Sequence, residues 1–261
     1  MEHLLLCPVC KQALAFEEKR LVCPSGHSFD KAKQGYVNLL LSSKTGTHGD
    51  DRLMVNARRS FLEKGYYSSI REAVSKVLGE GNTVLDAGCG EGYYTGLFAE
   101  KNRVIGVDVS KEAVKSASGK YKKAFFAVAC VYELPVGDGS MDCVLNIFAP
   151  DSSAEYLRVL KKGGRLITVT PMADHLFELK TAVYEKPYKN PYVDPKKEGF
   201  SLVGTTEVKY KAHLETNEDI RALFMMTPYY YNTSEADRKK LDCINEMTVG
   251  LEFLICEYVK E

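Results

Sequence analysis

Four residues near the start of the chain have the types and spacing of a metal site. Cys7-Pro-Val-Cys10 is followed, twelve residues on, by Cys23-Pro-Ser-Gly-His27. Two donors separated by two or three residues in a tight turn can face one ion. Two such turns complete a tetrahedron of three thiolates and one imidazole, which suits Zn2+. Four protein donors leave no open position, so the ion would be structural. A region of about 40 residues cannot bury enough apolar surface to fold alone, and a metal would supply the missing stability.

A second group of chemistry-bearing residues is Asp86-Ala-Gly-Cys-Gly-Glu-Gly92. Glycines at 88, 90 and 92 let backbone approach a ligand closely. Tyr93 breaks the spacing of a dinucleotide fingerprint, and no Gly-Lys-Ser/Thr follows to make a phosphate loop. Eighteen residues beyond Gly90, Asp108 offers a carboxylate that can take both hydroxyls of a ribose. The loop holds no basic residue to neutralise a pyrophosphate, while Asp86 and Glu91 add negative charge. The expected ligand is therefore a nucleoside without phosphates that carries positive charge. S-adenosylmethionine fits, with its sulfonium and ammonium groups.

These residues must be held by alternating strands and helices. Short strands are expected over 83–86, 104–108, 125–129, 143–148 and 165–170, which together read as a parallel α/β sheet. Ser69-Ile-Arg-Glu72 has the form of a capping box opening a helix that carries Ile70, Val74, Val77 and Leu78 and closes at Gly79. A helix follows the glycine loop over 93–100, and Ser110 caps the next one. Late in the chain, 201–214 and 248–259 alternate like long strands, with helical segments over 218–226 and 235–244. Residues 1–40 form the metal-binding unit and 41–55 read as a polar linker. The α/β unit spans 56–261.

Composition bounds the rest. With 261 residues, 45% of them hydrophobic, the chain can bury a core, and its formal net charge of zero excludes a simple, strongly basic nucleic-acid binder. Residues 1–60 nevertheless hold nine Lys/Arg against six acids, a mild excess that suits phosphates. No apolar run approaches the roughly 18 residues of a membrane span, and the amino terminus lacks a secretory pattern. A cytoplasmic protein with no membrane contact is expected. Its eight cysteines are then ligands or buried hydrophobes and not a disulfide framework.

Over 56–261 the chain resembles the class I S-adenosylmethionine-dependent methyltransferases, whose fold is a Rossmann-like α/β sheet. With the zinc motif the resemblance narrows. CPVC, CPSGHSFD, GYVNLL (35–40), ARRSFLEKGYY (57–67), LDAGCGEGYYT, FAP (148–150), TPMADHLFELK (170–180) and MTPYYY (226–231) are similar to the 23S ribosomal RNA (guanine-N1-)-methyltransferase family. That resemblance implies methyl transfer to N1 of a guanine in a large-subunit hairpin, with a contribution to macrolide resistance. It implies structural zinc on Cys7, Cys10, Cys23 and His27, in a unit that recognises 23S rRNA. It also implies cofactor contacts from Gly90 and Glu91, joined by Tyr67 and His175, and it suggests a homodimer.

Position 130 is Cys where the wider superfamily often has an acid, so adenine would be read by backbone and apolar contacts around 130–132. Asn146-Ile-Phe-Ala-Pro150 is not the Asn/Asp-Pro-Pro-Tyr tetrad of enzymes that methylate exocyclic amines, which is consistent with a ring-nitrogen target. Tyr229-Tyr-Tyr231 could stack on the base. Asp151 and Glu133 lie near strand ends, but neither is assigned as a general base. Two other readings stay open. One is a small-molecule methyltransferase of the same fold. The other is a non-enzymatic, zinc-bearing rRNA-binding or assembly factor.

Overall fold

The computed structural model describes residues 4–41 and 52–261. The amino-terminal unit contains three short strands, β1 (Ala15–Phe16), β2 (Arg20–Val22) and β3 (Ser28–Asp30), in one antiparallel sheet. A fourth, β4 (Val37–Asn38), leaves that unit and joins the edge of the large sheet, pairing in parallel with Ala127 and Val128.

The large sheet is built from β5 (Thr83–Ala87), β6 (Arg103–Asp108), β7 (Phe125–Val128), β8 (Met141–Ile147), β9 (Leu160–Pro171), β10 (Phe200–Leu214) and β11 (Met247–Lys260). Its order is β10-β11-β9-β8-β5-β6-β7-β4. Strands β9, β8, β5, β6, β7 and β4 run parallel, and β11 is antiparallel to both neighbours. The order reverses at β5, so the carboxyl ends of β5 and β6 flank a crevice of the kind that takes ligands in open α/β sheets.

The strands bury both faces, and their residues alternate between two cores. Val84, Val104, Cys143, Leu145 and Ile167 face one side. Leu85, Ala87, Ile105, Val107, Val144 and Leu166 face the other. Helix α2 (Ser68–Leu78) packs Ile70, Val74 and Leu78 on the first side, as their helical spacing dictates, and ends at Gly79. Helices α3 (Tyr93–Phe98) and α4 (Lys111–Lys120) follow β5 and β6, and Ser110 caps α4 by accepting from Ala113 N at 3.2 Å. Helices α5 (Ser153–Val159), α6 (Phe177–Val183), α7 (Asn217–Met225), α8 (Tyr229–Asn232) and α9 (Glu235–Lys239) complete the order.

Three expectations need correction or extension. The expected linker lies mostly outside the described residues, but its last four positions are helix: α1 runs Arg52–Glu63. Met54, Val55, Phe61 and Leu62 are buried on one stripe of it, a pattern hidden in the sequence by its polar approach. The capping box at Ser69 does not form. Tyr67 is the residue preceding α2, and it makes no side-chain cap. It is buried, with its ring set edge-on to Phe61, 5.7 Å away, and to Phe253, 5.3 Å away, so the aromatic core fixes where the helix begins. Finally, the amino-terminal unit does not close a core of its own. Leu5, Leu14, Leu21, Val37 and Leu39 join the cluster that holds Leu85, Ile105 and Val144 of the large sheet.

Candidate functional site: a glycine loop and a thiolate cluster

Strand β5 delivers the glycine loop. Asp86 is 2% exposed and lies on the strand face opposite Leu85 and Ala87, where Thr95 Oγ1 of α3 donates to its Oδ2 at 2.5 Å. The next two amides, Gly88 N and Cys89 N, both donate to Val107 O at 2.8 and 2.9 Å, clamping the loop onto β6. Gly90 N donates to Asp108 Oδ2 at 3.0 Å, and Ser110 N donates to Oδ1 at 2.8 Å. Gly88 has φ +86°, and a Cβ there would lie 2.4 Å from the Cβ of Ala149. The loop can therefore sit against the 148–150 turn only because position 88 has no side chain.

The electrostatics favour a cation. Burial pushes the Asp86 carboxyl up to about 7; the Thr95 bond opposes this, and the negative charges of Asp108 and Glu91 add to it. Glu91 is itself buried. A positive ligand at this point would offset the cost of ionising Asp86. Five of the expected cofactor residues, Asp86, Gly88, Gly90, Glu91 and Asp108, thus converge on one loop. After β7 the chain is tied to the same place, with Ala129 N donating to Asp108 O at 3.0 Å, so 130–132 border the crevice.

Tyr67 and His175 come to a common wall. Their rings both pack on Phe253, at 5.3 and 4.6 Å. Burial, reinforced by the nearby Lys180 charge, depresses His175 to about 3, so it is neutral near pH 7. Its Nδ1 accepts from Glu252 N at 3.1 Å, which leaves the proton on Nε2. Arg58 escaped the sequence reading. It lies half-buried on α1, and its Nη1 is 3.7 Å from where a Gly90 Cβ would be. The signal was the ARRSFLEKGYY string, but only the crossing of α1 over the loop reveals it. The loop lacks a basic residue of its own, yet a guanidinium stands beside it, suited to the carboxylate of an amino-acid ligand. Loop, carboxylates and Arg58 together fit S-adenosylmethionine.

The expected base-stacking tyrosines are mostly engaged. Tyr229 Oη donates to Asn190 Oδ1 at 2.7 Å, and its ring packs on the buried Lys180 ammonium, 4.6 Å away. Tyr230 lies under Arg238 at 4.7 Å. Tyr231 is 64% exposed, and its hydroxyl donates to Met54 Sδ at 3.7 Å. Asp151 is held below the usual carboxylate range: burial raises it, but bonds from Lys197 and Ser153 outweigh that. Glu133 takes Lys11 Nζ at 2.6 Å. Both acids thus have structural partners.

At the amino-terminal unit, Cys7, Cys10, Cys23 and His27 bring their donor atoms within 4.8 Å of one another. Cys10 Sγ and Cys23 Sγ are 3.5 Å apart, and His27 Nδ1 is 3.3 Å from Cys23 Sγ and 3.6 Å from Cys7 Sγ. Tetrahedral zinc with Zn–S about 2.3 Å and Zn–N about 2.0 Å requires edges of about 3.8 and 3.6 Å. The donor set and its spacing fit. Both turns are built for it: Lys11, at φ +60°, returns its N–H to Cys7 O, and Gly26, at φ +83°, returns its own to Cys23 O.

This unit is fastened to the loop that borders the crevice. Leu6 N donates to Pro135 O at 2.9 Å, Gly137 N donates to Leu4 O at 3.0 Å, and Leu5 bridges Val136. With the Lys11–Glu133 pair, these bonds anchor 133–137 directly beyond Cys130–Tyr132.

The strand order, the acidic glycine loop and the carboxylate at the end of β6 define a class I S-adenosylmethionine-dependent methyltransferase. A methyltransferase-domain model matches residues 84–164, and a zinc-ribbon model described as "RlmA, N-terminal" matches 5–44. The 23S rRNA (guanine(748)-N(1))-methyltransferase of Streptomyces fradiae is 32% identical, over 97% of this chain and 96% of its own. A Bacillus subtilis chain, YxjB, provisionally named a 23S rRNA (guanine-N(1)-)-methyltransferase, is 31% identical over 95% of each. The chain belongs to the 23S rRNA (guanine-N1-)-methyltransferase family. Among solved structures, a Haloferax volcanii complex of the Trm112 methyltransferase activator with its provisionally named methyltransferase aligns at TM-score 0.50 and 20% identity, over 82% of this chain and 99% of that one. It supports the fold alone.

Proposed function

We propose that the protein transfers a methyl group from S-adenosylmethionine to N1 of a guanine in 23S rRNA. The observation that carries this reading is the coincidence, in one chain, of an acidic glycine loop suited to a cationic nucleoside and a zinc unit hydrogen-bonded to the adjoining loop. A small-molecule methyltransferase would leave that second unit without a purpose, and a non-enzymatic factor would leave the acidic loop without one.

When bound, the cofactor supplies an electrophilic methyl on its sulfonium. Asp108 would hold the ribose hydroxyls, the main chain of Gly88–Gly90 the body of the ligand, and Arg58 its carboxylate. Asp86 and Glu91 would balance its positive charge, with Tyr67 and His175 closing the apolar wall. Displacement at the methyl carbon is in-line, so positioning does most of the work. N1 lies on the Watson–Crick edge, and the guanine must be unpaired or flipped to reach the crevice. Its N1 proton must be lost during or after attack, and no side chain is assigned as the base. Asn146 supports a ring-nitrogen target. Its Nδ2 donates to Pro150 O and Tyr156 Oη at 3.0 and 2.8 Å, and its Oδ1 accepts from Ala149 N at 3.3 Å, so it is spent inside the turn and does not reach for an exocyclic amine.

Incubation with S-adenosylmethionine and large-subunit rRNA lacking the modification should give one new reverse-transcription stop, at a guanine, because an N1 methyl blocks pairing. Methyl transfer to small molecules alone, or to nothing, would sink the reading. A cytoplasmic location belongs to the same reading, since that is where ribosomal RNA is found; among the described residues no helix is long and apolar enough to cross a membrane. A homodimer belongs to the same reading. Residues 201–207 of edge strand β10 are all exposed, Leu202 and Val203 included, and offer a surface for it. Light scattering should give twice the monomer mass, and Val203→Lys should return it to one; a monomer at micromolar concentration would remove this element.

A further inference from the structure

At the tip of β8, beside the glycine loop, Phe148 combines two features that packing alone does not require. Its backbone has φ +57°, a conformation bulky side chains rarely adopt, and its side chain is 44% exposed. Only Lys11 and Leu176 share such a φ among the described non-glycine residues, and Leu176 is buried. The turn that imposes this geometry is held from several sides. Phe148 N donates to Val169 O at 3.3 Å, the Asn146 side chain bonds Ala149 and Pro150, and Tyr156 Oη donates to Pro150 O at 3.1 Å. Ala149 fills the gap left by the missing side chain of Gly88. The aromatic neighbours of Phe148 are Tyr67, Tyr94 and Phe253, at interplanar angles of 79°, 65° and 48°, and none stacks on it in parallel. An apolar ring is thus held beside the glycine loop by a strained, heavily braced backbone, with its inner part against Tyr67 and Phe253 and 44% of its surface left open.

We infer that Phe148 is the platform on which the flipped guanine stacks, setting the base plane so that N1 faces the methyl group. This rests on the reading under Proposed function. Phe148 takes the role expected of 229–231, whose first two tyrosines are engaged elsewhere.

The test uses the full zinc-loaded chain, S-adenosylmethionine and an rRNA transcript. Phe148→Leu keeps apolar bulk without a π face, and should lower kcat/KM for rRNA about 5- to 150-fold, the loss of one base–aromatic stack. Phe148→Tyr should retain activity. Both should bind S-adenosylmethionine, by calorimetry, as the wild type does. Phe148→Leu with wild-type kcat/KM, or Phe148→Tyr as impaired as Phe148→Leu, overturns the stack. Cofactor affinity falling in step with rRNA activity also overturns it, by placing the ring in the cofactor pocket. If the wild-type chain itself leaves rRNA unmethylated, it is the functional reading that fails, whereas an active wild type with an equally active Phe148→Leu removes the platform alone.

Discussion

Replacing Cys23 with serine is expected to strip zinc from the chain, lower its melting temperature by on the order of 10 °C or more, and weaken S-adenosylmethionine binding. Cys23 is 3% exposed and its sulfur lies 3.5 Å from Cys10 Sγ and 3.3 Å from His27 Nδ1, so a hydroxyl cannot replace it as a soft ligand. Structural zinc contributes about 10–16 kcal/mol in isolated finger peptides, more than a unit of this size supplies by burial. Here the loss spreads. Leu5, Leu14 and Leu21 share a core with the large sheet, and β4 is its edge strand, so unfolding of the unit uncovers Leu85 and Ile105 from that side. A loss of several kcal/mol in a chain this long corresponds to roughly 10 °C.

The effect on cofactor affinity has a separate cause. Residues 133–137 are held by Leu4, Leu6 and Lys11, and they follow the segment expected to border adenine. Metal analysis, thermal unfolding and calorimetry on the same preparation check all three. Unchanged zinc content would remove the site, and lost zinc with unchanged cofactor affinity would remove the coupling.

The second large effect is on pH. Asp86 must ionise to balance the cofactor's charge, and in the free protein burial holds it at about 7. Roughly a tenth of the protein is ionised at pH 6 and nine tenths at pH 8, so S-adenosylmethionine affinity should rise about tenfold across that interval. Folding stability runs the other way. A carboxyl whose folded pKa is raised binds its proton more tightly in the native state, so its contribution falls as pH rises from the ordinary value near 4 towards 7, by up to about 4 kcal/mol. Asp86→Asn should abolish both trends. The free protein should be the more stable one at pH 8, while cofactor affinity is low and flat with pH. Titration calorimetry and thermal unfolding from pH 5.5 to 8.5 are the measurements. A pH-independent affinity in the wild type would show that Asp86 does not face the ligand's charge.

Much of the site was legible because it depends on near neighbours. The Cys7/Cys10 and Cys23/His27 spacings sit in turns of a few residues, and their convergence needs only those turns to face one another. The acidic glycine loop is likewise local, since Asp86, Gly88 and Gly90 fall within five residues of one strand-to-helix turn. Asp108 follows at the distance one helix and one strand impose. The central strands of the large sheet, β5 to β9, were readable from short apolar runs that stay buried, whereas edge strand β4 was not anticipated.

What the sequence could not supply was anything decided between distant segments. Tyr67 opens α2 in place of Ser69 because Phe61 and Phe253 bury its ring, and Phe253 is 186 positions away. Arg58 reaches Gly90 only because α1 crosses the loop, and α1 begins inside a segment whose composition reads as linker. The amino-terminal unit was delimited as 1–40 by its ligands and the polar stretch after it, yet its leucines and β4 complete the core and edge of the larger sheet. Phe148 takes a left-handed backbone that no local preference for phenylalanine would choose, because Asn146 within the turn, Tyr156 of α5 and Val169 of β9 all brace it. Ligand spacing, period and turn chemistry are short-range and survive in one dimension. Helix starts, shared cores and strained turns are settled by contacts that exist only once the chain has closed on itself.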